Sequence, residues 1–180
     1  MTAKLAFLSM ISTLALTANA AAQMSVTTFG ATDAAACYQN ANSEFSGDTD
    51  PCDKAIKDTG LTRGDQMKTY VNRGIIHNRN LDLDAAIDDF NAALEIDDGL
   101  AEAYLNRGNS FFLGGRFDDA FAEYETALAN DISKPWAAWY NIGLIHDAKK
   151  QPAKAREAYA KALALKPDFV LAQQKLARGE

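Results

Sequence analysis

From Met67 onward, apolar and small residues recur at the three-to-four-residue spacing of amphipathic helices. The helices come in pairs, and each pair ends in a breaker: Asp97-Asp98-Gly99, the loop from Asn130 to Pro135, and Lys166-Pro167-Asp168. This pattern predicts three units over 67–100, 101–135 and 136–169, each of two helices, and a polar-faced closing helix over 170–180. Upstream the signals are shorter. Asp33 is placed to cap a helix through Ala34 to Tyr38, and residues 42–50 are rich in turn formers. Asp50-Pro51 then reads as an N-cap followed by proline at the first helical position, opening a second short helix through Cys52, Ala55 and Ile56. Residues 33–66 are therefore expected to form a helical hairpin, and the fold class is all-α.

The three units can be superimposed. Tyr70-Val-Asn-Arg-Gly74, Tyr104-Leu-Asn-Arg-Gly108 and Trp139-Tyr-Asn-Ile-Gly143 place glycines 34 and then 35 residues apart. Each glycine is followed by an alanine (Ala86, Ala120, Ala155), an aromatic (Phe90, Tyr124, Tyr159) and a second alanine (Ala93, Ala127, Ala162). Self-similarity at this period marks a helix-turn-helix solenoid. Glycine, lacking Cβ, lets the first helix approach the second where Ala86 and its equivalents sit, and the aromatic and second alanine fill the remaining gap.

These residues resemble the tetratricopeptide repeat family over about 67–180. The resemblance implies a right-handed solenoid of antiparallel helix pairs that binds protein partners. Departures are small: His77 and His146 stand where the family prefers tyrosine, and Asp98 and Ile132 replace a terminal proline.

The first 22 residues have a different character. Lys4 precedes the apolar run Leu5 to Leu16, and Ala18-Asn-Ala20 resembles a small-x-small cleavage site. This reads as a secretory signal peptide, with cleavage after Ala20 or Ala22, and residues 23–32 as a flexible lead. The apolar run is too short for a membrane span, so no membrane insertion of the mature chain is expected. Export to a periplasm, or alternatively secretion, agrees with the two cysteines: Cys37 and Cys52 form one disulfide in an oxidising compartment. Closing about 15 residues contributes about 3 kcal/mol in the chain-entropy view. The bridge would stabilise the end unit of the stack, which has a neighbour on one side only.

Charge and motif content narrow the function. The chain carries −6 at neutral pH; without residues 1–22, whose one charged residue is Lys4, it has 17 basic and 24 acidic residues and carries −7. Such a surface repels nucleic acid and anionic lipid. His77 and His146 occupy the same repeat position two units apart, roughly 20 Å at usual helix spacings, too far to ligate one metal. The acidic pairs Asp88-Asp89 and Asp118-Asp119 read as solvated helix faces, with Asp118 and Asp119 favourable in a first turn. No nucleophile elbow, phosphate loop or His-Glu-x-x-His pattern occurs, so no enzyme activity, metal or cofactor is expected.

Two recurrent polar positions carry more information. Arg73 and Arg107 are followed sixteen residues later by Asp89 and Glu123; in the third unit Ile142 and Ala158 replace both partners. Joint presence and joint loss point to a bidentate ion pair between the two helices of a repeat, with a ligand-binding arginine as the alternative. Asn72, Asn106 and Asn141 stand two residues before each glycine. The resemblance implies that this position faces a concave groove and holds the main chain of a bound peptide, which an amide can do without selecting sequence. On the same implied face are Val71, Ile75, Leu105, Asn109, Phe112, Tyr140 and Leu144, an apolar groove with Tyr140 as anchor. The alternative is that the asparagines bond to neighbouring helices. The expected function is non-enzymatic binding of a peptide or helix of an envelope protein, as adaptor or assembly factor. A self-associating structural protein, a possible homo-oligomer, and a redox- or metal-responsive module are the other readings.

Overall fold

The structure is a computed structural model that describes residues 32–178. The expected signal peptide and residues 23–31 of the lead lie outside the described residues. Thr32, expected as the end of the lead, instead opens the first helix.

Nine helices and no strands are present among the described residues. They are α1 (Thr32–Asn42), α2 (Asp50–Lys57), α3 (Arg63–Asn80), α4 (Leu83–Ile96), α5 (Ala101–Leu113), α6 (Phe117–Ala129), α7 (Pro135–Ala148), α8 (Pro152–Leu165) and α9 (Val170–Ala177). The order is that of a solenoid. Each helix packs mainly on the next, with α3 on α4, α5 on α6 and α7 on α8 as the tight pairs. None of these helices is long and apolar enough to cross a membrane.

Helix boundaries follow local chemistry. Helix α3 begins at Arg63, four residues before the expected start of the first unit, because Thr62 caps it: Thr62 Oγ1 accepts from the Asp65 amide at 3.1 Å. In α2 the N-cap is Thr49 rather than Asp50, so Asp50 already lies in the helix and adds negative charge to its first turn. The first helix of every repeat ends on one residue in the left-handed region: Leu81 (φ 64°), Gly115 (φ 74°) and Lys150 (φ 57°). The next amide then reaches back five residues, from Asp82 to His77 O (2.9 Å), from Arg116 to Phe111 O (2.8 Å) and from Gln151 to His146 O (2.8 Å). Only one of the three is glycine, so this stop is invisible to a reading based on residue type.

The repeat glycines work differently from the expectation. A Cβ on Gly74, Gly108 or Gly143 would lie 2.7, 2.6 and 2.3 Å from the rings of Phe90, Tyr124 and Tyr159 respectively. The aromatic, not the preceding alanine, occupies the space that glycine vacates. The six repeat alanines are buried around it. At the N-terminal end the Cys37–Cys52 disulfide joins α1 to α2, and both sulfurs are buried with Val71, Ile75 and Phe90.

Candidate functional site

Arg73 projects from α3 toward α4. Its Nε and Nη2 donate to the two carboxylate oxygens of Asp89 at 2.9 and 2.7 Å, and Nη1 donates to Asp53 on α2. Arg107 repeats the arrangement one unit on, with Nε and Nη2 to Glu123 at 3.0 and 2.9 Å and Nη1 to Asn91 on α4 at 2.6 Å. Each guanidinium also lies near the ring of the tyrosine three residues earlier, Tyr70 or Tyr104. The arginine thus ties its own second helix to that of the preceding unit. Asp53 and Asn91 were missed in the sequence because their offsets from the arginine differ, 20 and 16 residues.

Burial raises the carboxyls of Asp89 and Glu123 above the usual range, against the pull of their arginines. For Arg73, burial opposes the charge, but the bonds to Asp89 and Asp53 outweigh it and the guanidinium stays ionised. In the third unit Ile142 and Ala158 are both buried within one apolar cluster. There the ionic contact is replaced by packing.

The asparagines are interior. Asn72 and Asn106 are fully buried, and Asn141 is 3% exposed. Asn109 is the hub of a hydrogen-bonded row along the first helices. Its Oδ1 accepts from the Tyr124 hydroxyl (2.9 Å) and from Asn141 Nδ2 (2.9 Å), while its Nδ2 donates to Asn106 Oδ1 at 3.5 Å. The main-chain oxygen of Asn106 in turn accepts from Asn78 Nδ2 and Ser110 Oγ, each at 3.3 Å. The row therefore links α3, α5 and α7. Burial drives the Tyr124 phenol far above the ordinary tyrosine range. Asn78, Ser110 and Tyr124 are the members that repeat-based reasoning missed, since the first two have no polar counterpart at the same place in every unit.

The apolar positions expected on an open groove are covered as well. Val71 and Ile75 pack in the cluster that contains the disulfide, because α1 lies against α3. Leu105 is buried with Ala138 and Ile142. Tyr140 is 2% exposed, its ring 5.5 Å from that of Tyr159 and 5.1 Å from that of Phe169, so it anchors the last repeat internally. Leu144 is buried in the same cluster. Phe112, half-buried and 5.6 Å from the ring of Phe117, keeps part of its surface available. The exposed apolar face expected from these positions is thus replaced by a covered row with a polar spine.

His77 and His146 have separate surroundings. His77 Nδ1 has no hydrogen-bond partner, as is also true of Asn78 Oδ1; His146 Nδ1 pairs with Gln151 Oε1 at 2.8 Å. Among the described residues, no group of three or more His, Cys, Asp or Glu side chains is placed to hold a metal ion.

Comparison with known proteins agrees with this architecture. The chain matches the family model described as tetratricopeptide repeat over residues 73–135 and 105–168. It is similar in fold to MamA (TM-score 0.66, 21% identity, covering 84% of each chain). It is also similar to YrrB, described as a TPR protein with an unusual peptide-binding site (TM-score 0.60, 21% identity, covering 73% of this chain and 66% of that one). Among curated relatives, human DnaJ homolog subfamily C member 7 is 31% identical over 67 residues. That match covers 37% of this chain and spans only 14% of the relative's length. Matched to the repeat model across more than half of its residues, the chain belongs to the tetratricopeptide repeat family.

Proposed function

We propose that this protein is a non-enzymatic interaction module of the cell envelope, exported by its first 22 residues, that holds a peptide or helix of an envelope protein along its first helices. The observation that carries this reading is the asparagine row. Asn106 on α5 and Asn141 on α7 share one register and are joined through Asn109, and each amide carries the donor and acceptor with which it would pair a main chain regardless of sequence. The family fold and the peptide site named for YrrB support the same class of partner. Because the row is covered, a partner engages it by displacing what covers it, which favours regulated or modest-affinity binding.

The test is site-specific photocrosslinking in cells. A photoreactive residue at Phe112, beside the row, should capture an envelope protein. The same residue at Glu125, exposed on α6, should not. Equal capture from both positions, or from neither, would reject the reading. Export is tested separately by fractionation, with recovery in the cytoplasm as the contrary result.

A further inference from the structure

Two surfaces at opposite ends of the solenoid complement each other. Residues 32–66, which form α1, α2 and the first turn of α3, carry seven acidic and three basic residues, net −4. Residues 149–178, which form α8, α9 and their connections, carry eight basic and two acidic residues, net +6. At the first end Glu44, Asp48, Asp50 and Asp58 are exposed beside Lys54, Lys57 and Arg63; at the other Lys150, Lys154, Arg156, Lys161 and Arg178 are exposed beside Glu157 and Asp168, so the exposed charges keep opposite signs at the two ends. The large exposed apolar side chains follow the same division. Phe45 is 96% exposed at the acidic end, and Leu165 and Val170 are 50% and 56% exposed at the basic end. Leu81 is the one large exposed apolar residue described between them.

The loop that presents Phe45 is held firmly. Arg79 on α3 donates to the main-chain oxygens of Asn40, Ala41 and Ser46, and Asn80 Nδ2 donates to Gly47 O at 2.9 Å. Burial lowers the Arg79 pKa, so a charged side chain is partly desolvated to order a loop whose aromatic points away from the core. Such ordering reduces the entropy that Phe45 would lose on contact.

We propose that copies of this chain associate head to tail, the Phe45 end of one against the Leu165–Val170 surface of the next. Charge complementarity selects this pairing. The overall charge of −6 opposes most other approaches, whereas acidic end against basic end is attractive. The contact is heterologous, so it leaves a free end of each kind and can add further copies. It is independent of the peptide-binding reading, since neither end includes the asparagine row.

Sedimentation velocity of the purified full chain tests this. At about 50 mM salt the sedimentation coefficient should rise with concentration, and at about 500 mM, where the screening length falls to a few ångströms, association should weaken about tenfold or more. Phe45→Lys and Val170→Lys should each be monomeric with unchanged helix content, because both positions are exposed. Mixed together they should form a 1:1 dimer and nothing larger, each supplying one intact end. A wild-type monomer at every concentration overturns the proposal. So do association that strengthens with salt and variants that fail to pair when mixed.

Discussion

Arg73 and Asp89 face each other across the first repeat through two parallel N–H···O bonds of 2.9 and 2.7 Å, with Asp89 only 4% exposed. Breaking such a pair leaves a desolvated charge, whereas replacing both members with apolar groups need not destabilise. Arg73→Ala and Asp89→Ala should each lower stability by about 3 kcal/mol, and the double variant by clearly less than the sum. The third repeat shows the apolar solution, so Arg107→Ile with Glu123→Ala should cost less than either change alone. Urea unfolding of the four-member cycle checks both; additive losses would show that the pair is not energetically coupled.

Glycine is required at one kind of position and missing at another. Gly143→Ala drives a methyl to 2.3 Å from Tyr159 Cε1, so a loss of about 1–3 kcal/mol is expected. Leu81→Gly relieves a left-handed non-glycine residue that is 58% exposed, and a gain of up to about 1 kcal/mol is expected. Melting temperatures of the two variants should move in opposite directions.

The Cys37–Cys52 bridge spans 15 residues at the end of the stack. Replacing both cysteines with serine should remove about 3 kcal/mol. The loss should be local. Hydrogen exchange should quicken first in α1, α2 and the adjoining part of α3, with α7 and α8 little affected.

Three tyrosines are held above the ordinary range: Tyr124 and Tyr140 first by burial, and Tyr159 by burial and then by its 2.6 Å hydrogen bond to Asp147. A phenol whose pKa is raised on folding contributes stability below its unfolded value of about 10 and loses it as pH rises further. Stability should therefore fall above about pH 10. Ultraviolet titration should show these three of the six tyrosines ionising together with unfolding. Complete ionisation of all six in the folded protein would contradict the burial.

Much of the architecture was legible because packing repeats. Gly74, Gly108 and Gly143 recur with their aromatic partners, and Arg73 and Arg107 recur with their acids, so phase alone revealed them. What periodicity hid was whatever one repeat does alone. Asn78 and Asn109 bond between units at positions where Phe112 and Leu144 stand elsewhere, and Asp53 reaches Arg73 from the hairpin. The burial of Val71, Ile75 and Tyr140 was hidden for a related reason. A side chain's place in a repeat does not reveal what an end helix lays over it, whether α1 at the start or Phe169 before α9.

The role of the asparagine row in binding is tested most directly by photocapture from Phe112 in an Asn106→Ala, Asn141→Ala background, scored beside the melting temperature. The expected result is a fall in capture of about tenfold or more while the variant remains folded at the assay temperature. Unchanged capture in that folded variant would contradict the reading and leave the row a purely structural spine.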